Sequence, residues 1–139
     1  MKKLTVIYAL ITIVACSKKQ ELANLPVVVS YSVQLESGKR HTEQDEGAIC
    51  YLFRGVNIDQ NNFTINLDGS IRLNNGSMIL PDETAVCTSG GLVYFKNLPM
   101  GSYNAVVAVS KYYPTKAKAI TGPMERRGVT QTVFNFLFE

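Results

Sequence analysis

The sequence predicts an all-β fold, an antiparallel Greek-key β-sandwich of about seven strands with an added meander near residues 63–80. Three observations lead there. Apolar and polar residues alternate with period two along short runs, the signature of half-buried strands. Turn signals such as Asp68-Gly69, Asn75-Gly76 and Ser89-Gly90-Gly91 separate those runs. Helical periodicity is hard to find after residue 26. The chain has 139 residues, enough for one domain with a real core.

Taken in order, residues 27–36 alternate through Val29, Tyr31, Val33 and Leu35. Residues 37–46 are polar and read as a loop. Residues 48–53 are apolar on both faces, as a central sandwich strand would be. After a second loop, Phe63, Ile65 and Leu67 alternate with polar neighbours. Asp68-Gly69 then turns the chain into Ile71 and Leu73, and Asn75-Gly76 turns it again into residues 78–80. Residues 84–88 and 92–95 flank Ser89-Gly90-Gly91 as a hairpin. Residues 103–109 are β-branched and small. Tyr112-Tyr113-Pro114 is a turn, and residues 116–121 form an edge strand blunted by Lys116 and Lys118. The last strand, residues 129–138, places Phe134, Phe136 and Phe138 on one face.

The N-terminus has a different character. Lys2 and Lys3 precede an apolar run over residues 4–15, shorter than the ~20 residues that span a bilayer. A basic start, a brief apolar segment and a small residue describe a secretory signal peptide. The run ends in Ile13-Val14-Ala15-Cys16. That motif resembles the lipobox of bacterial lipoproteins. The resemblance implies a signal peptide over residues 1–15, acylation of Cys16, and residues 16–26 as a tether before a domain at 27–139. Because each buried methylene adds about 0.8 kcal/mol, more than one acyl chain makes the anchor durable. Ser17 rather than Asp, followed by Lys18-Lys19, implies an outer-membrane anchor facing the periplasm.

The formal charge is +3, and two of those charges are Lys2 and Lys3. No basic surface follows, so nucleic acid is not an expected partner. Of three cysteines, Cys50 and Cys87 remain beyond Cys16. In an oxidising compartment they could form a disulfide, and equally they could be two buried apolar thiols. With one histidine and no Cys-x-x-Cys pair, no metal site or cofactor is expected.

Two segments carry a second resemblance. The first is Gly47-Ala48-Ile49-Cys50-Tyr51-Leu52. The second runs Gly91-Leu92-Val93-Tyr94-Phe95-Lys96-Asn97-Leu98-Pro99-Met100-Gly101-Ser102-Tyr103. Together they resemble carboxypeptidase-regulatory-like and collagen-adhesin B-type domains, which are prealbumin-like sandwiches. The resemblance implies Val93 and Phe95 facing inward, a corner over residues 97–101 that sends the chain to the opposite sheet, and Tyr103 as a corner tyrosine. Some adhesin domains carry a Lys–Asn isopeptide bond. Here the first strand has no lysine and Val107 stands where the acid belongs, so none is expected.

His41 among Thr42, Glu43, Asp45 and Glu46 could hold Ca²⁺ or move a proton, but reads more simply as a solvated loop. Lys111, Tyr112, Tyr113 and Lys116 set aromatics beside cations, the best exposed candidate for binding a partner. No nucleophile, base and acid converge, so an enzyme is not expected. The expectation is a non-enzymatic envelope lipoprotein that binds or scaffolds a protein partner. The alternatives are a carbohydrate-binding accessory protein of polysaccharide uptake, which needs an exposed aromatic row, and a subunit or anchor of a fimbria-like assembly.

Overall fold

The computed structural model describes residues 19–58 and 62–139, and every described element is a strand, a turn or a loop. In chain order the strands are β1 (Leu22–Gln34), β2 (Arg40–Gln44), β3 (Ile49–Arg54), β4 (Phe63–Ile65), β5 (Ile71–Leu73), β6 (Met78–Ile79), β7 (Glu83–Val86), β8 (Leu92–Pro99), β9 (Tyr103–Val109), β10 (Ala117–Pro123), β11 (Arg126–Arg127), β12 (Thr130–Gln131) and β13 (Phe134–Phe138). The expected signal peptide and the expected acylation site, Cys16, lie outside the described residues.

The fold is an all-β sandwich. The first sheet runs β13-β1-β2, with β8 also on β1, and the second runs β10-β9-β3-β7. β1 is the spine of the first sheet: β8 pairs with its first half and β2 with its second. β13 pairs with it in parallel, so the sandwich is not wholly antiparallel. The β11–β12 hairpin fills the link from the second sheet back to the first, which gives the chain room for that crossover.

Strand alternation builds two cores rather than one. Between the sheets lie Leu25, Val27, Val29, Cys50, Leu52, Phe95, Val106, Ala108, Phe136 and Phe138. On the far side of the second sheet lie Tyr51, Phe53, Ala105, Val107 and Val109, packed with Ile71 and half-buried Phe63, Ile65, Leu73 and Ile79. The meander β4-β5-β6 is therefore a third layer. It explains why residues 48–53 are apolar on both faces: alternate side chains serve alternate cores. Gly69 shows how closely the layers meet. Its φ of +83° favours glycine, and a Cβ there would collide with the Tyr51 ring.

Four expectations need correction. β1 begins at Leu22, inside the segment 16–26 expected to precede the domain. Val29 N–H donates to Gly91 O, so Leu25 and Val27 are the residues bonded to β8 and the Pro26 nitrogen faces the opposite side. That side is open at Pro26, since β13 begins opposite Val27. The polar segment at residues 37–46 contains β2, whose five residues are all exposed. The long last strand is instead a hairpin followed by β13. Finally, Tyr103 is about half exposed, and its hydroxyl has no hydrogen-bond partner among the described residues. The tyrosine that ties back to the backbone is Tyr113, whose hydroxyl donates to Ser32 O at 2.7 Å. The corner over residues 97–101 does carry the chain between sheets, from β8 to β9.

Candidate functional site

A sandwich must protect the unpaired peptide groups at its sheet edges. On β13, Lys118 Nζ donates to Leu137 O, and just past its end Lys116 Nζ donates to Glu139 O. On β8, Arg54 donates to Lys96 O at 3.2 Å and Asn97 O at 3.4 Å. A register shift also falls there, with Asn97 at φ 60°, so that Lys96 and Asn97 bulge opposite Asn24. β7 is only four residues long.

β2 has no such cover. Leu35 N–H donates to Lys39 O and Asp45 N–H to Val29 O. The intervening bonded pairs are therefore Tyr31/Glu43 and Val33/His41, given the register. The peptide groups of Arg40 and Thr42 point to the free side, and among the described residues nothing meets them there.

An aromatic cluster stands beside this open edge. The Tyr112 ring stacks on Tyr31 at 3.9 Å and 21°. Tyr31 is buried and Tyr112 is about half exposed. The Tyr31 hydroxyl donates to Glu43 at 2.6 Å, and that carboxylate, with burial, holds the phenol proton on. His41 lies 3.4 Å from the other Glu43 oxygen. Lys111 Nζ sits 5.9 Å from the Tyr112 ring.

The structure separates the four residues expected to bind a partner. Lys111 and Tyr112 belong to the open end. Tyr113 turns inward against the inter-sheet core, with its hydroxyl bonded to Ser32. Lys116 is spent on the β13 edge and on the Tyr113 ring at 4.7 Å. Tyr112 and Tyr113 thus form no common exposed row. The β2 edge was missed because Arg-His-Thr-Glu-Gln has no apolar alternation to betray a strand.

The acidic residues around His41 also part company. Asp45 turns into the core and accepts from Ser110 at 2.5 Å, while Glu46 accepts from Gly90 N–H at 3.2 Å. Asp45 Oδ1 is buried and without a hydrogen-bond partner among the described residues. No three His, Cys, Asp or Glu side chains among the described residues gather into a metal-holding set. An open groove of about 560 Å³ lies between β4 and β10, lined by Phe63, Ile65, Ala117 and Ala119 with Thr64 and Lys118.

The structure brings Cys50 and Cys87 together. Both are buried free thiols, with Sγ atoms 3.7 Å apart. Their shared hydrogen bond and burial push the Cys50 thiol up, while the contact from Cys50 pulls Cys87 down. The Asp45 carboxylate adds an upward push to both.

No protein-family model, curated protein or solved structure matches this chain.

Proposed function

We propose that this chain is a non-enzymatic, lipid-anchored module of the bacterial envelope that binds a protein partner by strand addition at the β2 edge. The observation that carries the reading is the contrast between edges. Cationic side chains hold carbonyls of β13 and β8, whereas the Arg40 and Thr42 peptide groups stand open beside the exposed Tyr112 ring. An open edge supplies main-chain hydrogen bonds to an extended segment, and neighbouring side chains supply selectivity.

The anchor rests on the resemblance of Ile13-Val14-Ala15-Cys16 to a lipobox, and the module on the resemblance of residues 91–103 to carboxypeptidase-regulatory-like domains. The geometry suits such an anchor. Cys16 precedes the start of β1 at Leu22 by a few residues, a contour of at most ~20 Å. β1 then extends ~30 Å from Leu22 to the residues that pair with β2. An acylated Cys16 would hold one end of the sandwich near the bilayer and present the open edge at the other. The separation of Tyr112 from Tyr113 favours a protein partner over a glycan, because a sugar platform needs exposed rings in a row.

The test is in-cell photocrosslinking of the full-length lipidated chain from a probe at Tyr112, with a probe at Leu137 as control. One stoichiometric envelope protein captured from Tyr112 and not from Leu137 is the expected result. Capture from both positions alike, or from neither, would remove the basis for this reading.

A further inference from the structure

We propose that Cys50 and Cys87 are joined by a disulfide that staples the edge strand β7 to β3. The two residues lie on antiparallel neighbours and on the same face of the second sheet. The register sets Ile49 opposite Val86 and Cys50 opposite Ala85, and Cys87 N–H donates to Ala48 O at 2.8 Å. Each cysteine thus faces an alanine, and the two are diagonal neighbours with little bulk between them. Their sulfurs already touch at 3.7 Å, although 37 residues separate them in the chain.

A β-bulge helps the approach. Gly47 N–H donates to Cys87 O while Cys87 N–H donates to Ala48 O, so two residues oppose one. Gly47 has φ +91°, the left-handed geometry that glycine gives a bulge of this type. A bulge increases local twist, which draws one diagonal of the ladder closer.

The site suits the oxidised form. A disulfide is uncharged and apolar, fit for the inter-sheet core to which both cysteines belong, with Ala108 opposite Cys50 on β9. A thiolate there would face the buried Asp45 carboxylate. The bond therefore forms during folding or while the β7 edge is open, not inside the closed sandwich. With oxidised glutathione as electron acceptor, the Cys87 thiolate attacks one glutathione sulfur and breaks its S–S bond, releasing a glutathione thiolate. The Cys50 thiolate then attacks the mixed disulfide at Cys87 and releases the second. The two cysteine protons pass to the two glutathione thiolates, and two electrons pass from the cysteine pair to glutathione.

This inference does not depend on the partner or on the anchor. Its test is refolding of the full-length chain from denaturant in a mixture of oxidised and reduced glutathione, followed by alkylation under denaturing conditions and peptide mapping. Joined Cys50 and Cys87 peptides are expected, with Cys16 alkylated or capped by glutathione. The oxidised chain should melt roughly 10 °C above the reduced chain, as loop-closure entropy requires. Quantitative alkylation of both thiols, or a bridge from either to Cys16, would overturn the assignment. Equal melting temperatures for the two forms would overturn the stapling role.

Discussion

The two sheets of this sandwich are built from the same kinds of residue and put to different uses. In the first sheet, β13 alternates strictly, with Phe134, Phe136 and Phe138 buried and Asn135 and Leu137 exposed. In the second, β9 is buried at Asn104 and at every residue after it, because the meander covers the outer face. The second sheet is thus the centre of a three-layer stack, and the side chains of its central strands β3 and β9 are committed to stability. The first keeps one wet face, and β2 at its margin is exposed on both. Where a chain leaves peptide groups open while capping their counterparts elsewhere, the open set is the place to look for recognition.

Substitutions on the two outer faces should diverge most. Phe53 is fully buried beneath the meander, and Phe53→Ala should cost about 3–5 kcal/mol through lost burial and a cavity. Leu137 lies on the wet face of the first sheet, and Leu137→Thr should stay within about 0.5 kcal/mol. Denaturant unfolding of the two variants checks the pair. Similar losses would mean that the meander does not seal the second sheet.

A smaller effect is expected where the sheets are tied together. Tyr113 follows β9 of the second sheet, and its hydroxyl reaches Ser32 O on β1 of the first. Tyr113→Phe keeps the ring packing and removes that bond, so a loss of about 1 kcal/mol is expected. Crosslinking from Tyr112 should be unaffected if the latch serves the fold and not the partner. A fall in capture from the Tyr112 probe would place Tyr113 in the interface after all.

Much of this architecture was legible in the sequence because its devices are local. Asp68-Gly69 and Asn75-Gly76 announced the meander, and the Phe134, Phe136, Phe138 alternation announced β13. The both-face apolarity of residues 48–53 was legible too, but its cause was not: period-two patterning shows that both faces are covered without showing by what. β2 was illegible for the opposite reason, since a strand wet on both faces carries no hydrophobic pattern. Residues 16–26 read as a tether, yet Pro26 lies within β1, its nitrogen on the side that β13 does not reach there. Of the site, Lys111 and Tyr112 were visible as exposed aromatic and cation. Tyr113 and Lys116 looked the same in sequence, and only three-dimensional position assigns them to the core and to the β13 edge.

Strand addition at β2 is tested most directly by Thr42→Pro in the full-length chain. Thr42 directs its peptide N–H away from β1, so proline removes a donor that the fold does not use. The expected result is a melting temperature within a few degrees of the parent and loss of the protein captured from Tyr112. A variant equally stable and still capturing that protein at parental yield would contradict strand addition at β2.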